Sequence, residues 1–172
     1  MDTDNRLEKI KNKFTDAVQS ISFDRVGCPI VFVKKDKLID LLTFLKSDGE
    51  LSYDFLSDLT CYDDYGKPEE VDGRFVMVYN LYSPALKERI RIKCRVADGD
   101  NVPTATCLWA AANWAEREVW DMYGVRFDGH PDLRRILMDE RFQGHPQRKD
   151  YYWRKYQLFL DAEPMPETLF KD

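Results

Sequence analysis

Apolar residues at Leu7, Ile10, Phe14 and Val18 recur at helical spacing behind Thr3 and Asp4, either of which can cap a helix. Ile21 to Val26 and Pro29 to Val33 read as short strands, broken by the turn-like Gly27-Cys28-Pro29. A second helix carries Leu38, Ile39, Leu41, Leu42 and Leu45. Asp36 suits its N-cap, Lys46 its last turn, and Gly49 lies beyond its end. Leu51, Tyr53 and Phe55 then alternate as in a strand, and Tyr62-Asp63-Asp64-Tyr65-Gly66-Lys67-Pro68 reads as a loop. After the turn signal Asp72-Gly73, a strand is predicted from Phe75 to Tyr82, ending at Ser83-Pro84.

The cleanest alternation follows. Ile90, Ile92, Cys94 and Val96 interleave with Arg89, Arg91, Lys93 and Arg95, the pattern of a half-buried antiparallel strand. Its row of positive charges suits either a solvated sheet edge that resists aggregation or a face that docks on an acidic partner. Pro103, with Thr104 or Thr106 as cap, opens the main helix, predicted to run to Tyr123 and stop at Gly124. Its apolar stripe is Leu108, Ala112, Ala115, Val119 and Met122. Trp109, Trp114 and Trp120 spread around the circumference and predict enclosure on more than one side. Arg117 and Asp121, four apart, are spaced to pair along the helix surface.

Beyond Gly124 the periodicity fades. Pro131, Pro146, Pro164 and Pro166 disfavour regular helix, and the aromatics from Phe142 to Phe170 have too few neighbours in sequence to bury one another. The expected architecture is therefore α+β. A core domain over residues 1–124 has a mainly antiparallel sheet packed by helices. Residues 125–172 form a motif segment and an extended irregular tail that docks on another protein.

Composition narrows the class. The 172 residues suit one domain, and 44% hydrophobic with 33% charged residues fits a folded globular chain. A net charge of −5 argues against a general nucleic-acid binder. No run approaches the roughly 18 apolar residues a membrane span needs. The polar, acidic start Met1-Asp2-Thr3-Asp4-Asn5 is unlike a secretory signal. The expectation is a cytoplasmic chain that reaches any membrane through partners. Cys28, Cys61, Cys94 and Cys107 are scattered, without the close pairs that zinc and iron–sulfur sites favour, and read as reduced apolar residues.

Chemistry concentrates in one stretch. It runs Glu116-Arg117-Glu118-Val119-Trp120-Asp121-Met122-Tyr123-Gly124-Val125 and continues through Gly129-His130-Pro131-Asp132-Leu133-Arg134-Arg135-Ile136-Leu137. It closely resembles the signature of the 30 kDa (C) subunit family of respiratory NADH:quinone oxidoreductase (complex I). A second family block is matched by Gly144-His145-Pro146-Gln147-Arg148-Lys149-Asp150-Tyr151. Gln147 stands where that family usually has Leu, Tyr152 where it has Pro, and Trp153-Arg154-Lys155-Tyr156 departs from the usual continuation.

The resemblance implies an α+β, non-catalytic subunit in the hydrophilic arm, on the cytoplasmic side of a bacterial inner membrane (or the matrix side in mitochondria). It would stand beside the large D subunit, which forms the quinone site, and the cluster-bearing B subunit. It implies no cofactor in this chain, with FMN, iron–sulfur clusters and quinone on other subunits, and a role in assembly and support. The whole complex passes electrons from NADH to quinone and couples this to ion translocation. The motif and partner-interface residues carried over are Glu116, Arg117, Glu118, Asp121, Gly124, Gly129, His130, Pro131, Asp132, Arg134, Arg135, Arg148, Lys149 and Asp150.

Other readings of the same residues exist. His130 and Asp132, with Glu116, Glu118 and Asp121 upstream, contain the groups of acid–base catalysis. Neither a Gly-x-Ser-x-Gly nor a His-Glu-x-x-His pattern accompanies them, and a His between Gly and Pro suits a turn that bonds backbone. Consecutive Arg134 and Arg135 suit ionic locking, one fork on Glu116 or Glu118 and the other on a partner's carboxylate. Arg148, Lys149 and Asp150 invite the same reading. Two alternative functions are the equivalent subunit of a membrane-bound hydrogenase-type complex, and a small RNA-binding module using strand 89–95.

Overall fold

Alternation at period two sets which face of each strand is buried, and five strands of this chain share one apolar face. The computed structural model describes residues 3–152. Helix α1 (Thr3–Lys13) leads into the hairpin β1 (Val18–Phe23) and β2 (Pro29–Val33), followed by a 3₁₀ turn and α2 (Leu38–Ser47). Next come β3 (Phe55–Asp63), β4 (Phe75–Ser83), β5 (Glu88–Val96), β6 (Asn101–Pro103), α3 (Ala112–Tyr123) and β7 (Arg126–Asp128). The sheet order is β1-β2-β5-β4-β3, antiparallel except for the parallel β2–β5 pair, and β6 with β7 forms a separate parallel ribbon. The α+β class with a mainly antiparallel sheet is as expected.

One core joins the sheet to the helices. Val31, Val33, Phe75, Met77, Tyr79, Leu81, Ile90, Ile92 and Cys94 from the strands meet Ile10 of α1, four leucines of α2 and Val119 of α3. Leu38, Leu41, Leu42 and Leu45 have no exposed surface. Removing one leucine side chain from such a site typically costs about 2–5 kcal/mol.

Several expected boundaries move. The first helix ends at Lys13, because Phe14 to Ala17 turn and Val18 already pairs with Val33. Leu51 and Tyr53 lie before the strand, and β3 instead runs through Asp63 into the expected loop, its pairing with Phe75 carrying it there. Strand β5 is no edge. Both its sides are hydrogen-bonded, to β2 and to β4. Alternation reports the faces of a strand and is blind to its neighbours.

The main helix begins at Ala112, later than Thr104 or Thr106 would place it. The Thr104 N–H goes to the Asp128 carbonyl at 3.0 Å and the Ala105 N–H to the Glu116 carboxylate at 2.7 Å, so both serve other structure. Its end at Gly124 is as expected: φ is +84°, and the Gly124 N–H bonds the Trp120 carbonyl at 2.9 Å. The expected enclosure is partial. Trp109 is buried and Trp114 is 62% exposed. Gly124 is no break in packing either, because residues 126–128 pair with β6 and residues 129–151 fold back along α3. The aromatics from Trp153 onward lie outside the described residues.

Candidate functional site

The motif helix turns three ionisable side chains inward, and each is bound differently. Asp121 has no exposed surface. One carboxylate oxygen accepts the backbone N–H groups of Ile136, Leu137 and Met138 at 3.1, 2.8 and 2.9 Å; the other accepts Arg135 Nη1 at 2.5 Å. Three converging N–H groups form an anion nest, here filled by the chain's own carboxylate. Burial alone would raise its pKa, but the N–H bonds and Arg135 outweigh it and hold the group below the usual carboxylate range.

Arg135 completes that lock. It also donates to the carbonyls of Phe142 (2.7 Å) and Gly144 (3.0 Å), and its guanidinium sits between the Trp120 and Phe142 rings at 5.7 and 5.6 Å. The expected grip of an arginine fork on Glu116 or Glu118 is therefore corrected: Arg135 holds Asp121. Among the described residues the Arg134 side chain meets only Asp132, at 2.9 Å, with both side chains half exposed or more.

Arg117 is buried, and its expected surface pair with Asp121 is not formed. It donates instead to the carbonyls of Arg134 (3.1 Å) and Arg135 (2.8 Å), because the returning segment presents backbone acceptors where helical spacing alone implies solvent. Together Arg117, Asp121 and Arg135 brace residues 134–144 against α3.

Glu116 is fully enclosed. It accepts Thr104 Oγ1 at 2.6 Å and the Ala105 N–H at 2.7 Å, and burial pushes its pKa up to about 7 against those two bonds. His130 lies beside it, Nε2 being 4.0 Å from the carboxylate and 3.1 Å from the Asn113 carbonyl. His130 Nδ1 accepts the Asp132 N–H at 3.0 Å, which assigns the ring proton to Nε2. The turn role read for His130 is what the geometry shows. Gly129 takes φ +80° just ahead of it, and Pro131 and Asp132 are exposed.

The second motif block makes a further brace. His145 Nδ1 bonds the Asp121 carbonyl at 2.9 Å, and its ring lies where a β-carbon on Gly124 would fall, 2.7 Å from His145 Cδ2. Glycine at 124 is thus required twice, by its left-handed φ and by this ring. Arg148 pairs with Asp98 and Asp150, and Asp150 pairs with Arg74 at 2.7 Å. The Lys149 N–H bonds Asp63 at 2.9 Å while its side chain faces outward.

Arg74 is the hub that the sequence does not reveal. Its five N–H groups go to Asp63 twice, Asp150 twice and Asp98 once, at 2.7–3.2 Å. Arg74 in turn holds Asp150 well below the usual carboxylate range, aided by Arg148. Asp63, which burial alone would push up, is likewise lowered by Arg74 and two backbone N–H groups. No local motif marks an arginine whose partners lie 11, 24 and 76 residues away. The row of motif residues thus builds a static brace, and the basic strand is partly neutralised: Arg95 meets Asp64 at 3.2 Å and Arg91 meets Asn80 at 2.8 Å.

Among the described residues, no three His, Cys, Asp or Glu side chains gather as metal ligands would. Nor is any helix among them long and apolar enough to cross a membrane.

Comparison with known proteins places this arrangement. Residues 31–157 match the family described as respiratory-chain NADH dehydrogenase, 30 Kd subunit. The chain is 47% identical over 165 residues to the C 2 subunit of NADH-quinone oxidoreductase from Rhizobium meliloti, covering 94% of this chain and 88% of that one. It is 48% identical to the C subunit of NADH-quinone oxidoreductase from Trichlorobacter lovleyi, over 87% of this chain and 90% of the relative. A trypsin-resistant fragment of Nqo5 superposes with a TM-score of 0.65 at 31% identity, covering 77% of this chain and all of the fragment. A chain of an archaeal membrane-bound sulfane sulfur reductase shares the fold, with a TM-score of 0.70 at 23% identity, over 94% of this chain and 98% of that one.

Proposed function

Because the chain belongs to the 30 kDa subunit family of respiratory-chain NADH dehydrogenases, we propose that it is a non-catalytic supporting subunit in the hydrophilic arm of an NADH:quinone oxidoreductase. In this reading it stands beside the quinone-site and cluster-bearing subunits, peripheral to the cytoplasmic side of the membrane. It carries no redox group of its own. Electrons pass from FMN through iron–sulfur clusters to quinone on other subunits, and this chain holds neighbours in register.

One observation carries the reading beyond membership. The motif's strongest polar groups, Arg117, Asp121 and Arg135, satisfy one another and the backbone, leaving a rigid platform rather than an open reactive pocket. Arg134, 62% exposed at its side chain, and the chain after Tyr152 are available to hold a partner.

Truncation tests this. Cutting at Gly144 would remove His145, Arg148 and Asp150, which brace the fold, so the cut belongs after Tyr152. The variant ending at Tyr152 should keep its circular dichroism spectrum and melting temperature. It should lose co-purification with the other subunits from native membranes, together with NADH:quinone activity. Large aromatic side chains such as those at Trp153 and Phe159 are typically worth roughly 2 kcal/mol or more each where they act as hot spots buried in a partner. Normal assembly and activity of the truncated chain would refute the docking role.

A further inference from the structure

Of the acidic side chains on the motif helix, Glu116 and Asp121 face inward and are bonded. Glu118 is exposed and has no bonded partner among the described residues. It lines a groove of about 260 Å3 between α3 and residues 56–59 of β3. The walls that matter are Ser57, Asp58, Trp114, Ala115, Glu118 and Ile136. Strand β3 is the last strand of its sheet, and its pairing with β4 is irregular between Leu56 and Asp58, at Ser57.

This groove combines two features that a solvated surface does not need. It is apolar, with the Trp114 indole 62% exposed and Leu137, next to the lining residue Ile136, 61% exposed. Exposed apolar groups clustered within a polar surround mark contact sites. It is also acidic: Glu118 lines it, and no Lys or Arg does among the described residues. Asp58 borders the groove, but its side chain meets Asn80 at 3.4 Å on the opposite sheet face, where Arg91 also bonds Asn80. Arg117 does lie 5.0 Å from the Trp114 ring, but its N–H groups are committed to the carbonyls of Arg134 and Arg135.

We propose that this groove receives a cationic, apolar segment of another subunit, with a Lys or Arg beside Glu118 and a neighbouring apolar side chain against Trp114 and Ile136. An arginine or lysine beside a carboxylate and an indole face gains both ionic and cation–π contacts. The chain's own last twenty residues are poorer candidates, because Asp161, Glu163, Glu167 and Asp172 outnumber Arg154, Lys155 and Lys171. A second copy, with a net charge of −5, offers the wrong sign. The inference rests on the subunit reading and adds to it a surface and a partner chemistry.

Two experiments on the assembled complex decide it. In the first, Glu118→Lys and Trp114→Ala chains are compared with wild type in the native host. Both should melt within about 2 °C of wild type as isolated proteins, whereas Glu118→Lys should reduce incorporation into the complex at least tenfold on native gels. Incorporation equal to wild type overturns the groove as a docking site while leaving membership intact. Failure of the wild-type chain to co-purify with the complex would instead sink the subunit reading itself. In the second, a benzophenone side chain replaces Ser57 and the assembled complex is irradiated. A crosslink to another subunit, in a segment with Lys or Arg next to an apolar residue, supports the proposal. A crosslink to residues 153–172, to a second copy, to an acidic or uncharged segment, or to nothing overturns it.

Discussion

The sheet and the segment from Gly129 to Tyr151 are folded by different forces. Strands β2, β4 and β5 bury a repeating apolar face, and nearly all of that stabilisation is non-directional. The returning segment has almost no repeat and few buried apolar side chains. It is held by directed bonds: Asp121 on three N–H groups, Arg135 on two carbonyls, Arg117 on two more, and Arg74 on Asp150. A core of the first kind tolerates substitution of similar volume. A brace of the second kind fails when one partner is removed, since the remaining donors or charges are then left buried and unpaired.

The largest expected effect comes from cutting that brace. Asp121→Ala strands a guanidinium that is 11% exposed together with three backbone N–H groups, and loss of a buried charge partner typically costs about 3–5 kcal/mol. Hydrogen exchange should show residues 129–151 losing protection while the β4–β5 amides keep theirs. Leu45→Ala, of similar cost at about 2–5 kcal/mol, should lower protection throughout. Equal loss in both regions for Asp121→Ala would show that the two are one cooperative unit.

The same contrast explains what can be read from the chain. Helix α2, strand β4 and the buried face of β5 follow from spacing, as does the stop at Gly124, because period and punctuation are local properties. The position of β5 within the sheet is not legible, since alternation is the same for a central and an edge strand. Helical spacing alone pairs Arg117 with Asp121 on the surface. The segment that buries them returns from 14 to 18 residues later with no periodicity to announce it. Arg74 offers no signal at all. For the motif, the sequence marks which residues matter as a set, and the fold decides which of them bind each other.

Acidity should separate the two kinds of carboxyl. Asp63, Asp121 and Asp150 have pKa values below the usual range, so their contribution is present above the unfolded value and is lost as pH falls through the folded ones, in strong acid. Glu116 behaves in the opposite sense. Its pKa rises from 4.5 to about 7, so the folded state holds its proton more tightly than the unfolded chain does. Stability is therefore lost as pH climbs from about 4.5 past 7, by roughly 3 kcal/mol in all. Melting temperature should peak in the mildly acidic range. Glu116→Gln should flatten the neutral-side slope and leave the acid limb unchanged. An unaltered neutral slope in that variant would assign the titration to another group.

The smallest effect is expected on the outer face of β5, where a row of like charges looks most conspicuous in the sequence. Arg95 does not belong with the others. Its side chain is 15% exposed and faces Asp64 at 3.2 Å, so replacing it weakens the pairing of a carboxylate that is 4% exposed. Lys93 is shielded as well, lying over Phe32 and Tyr62, and burial lowers its pKa. That leaves Arg89, exposed over Tyr82, and Arg91, which meets Asn80 and reaches Asp24 only at 3.8 Å. Exposed pairs of this kind contribute under about 1 kcal/mol each. The double variant Arg89→Gln, Arg91→Gln should therefore melt within a few degrees of wild type, whereas Arg95→Gln alone should cost more than the two together. If the face docks on an acidic neighbour, the double variant should also lose incorporation into the complex on native gels, with a deficit against wild type that is largest at low salt and narrows as salt rises. Wild-type incorporation at both low and high salt would make these two arginines solvated residues of a sheet whose cohesion comes from its other face.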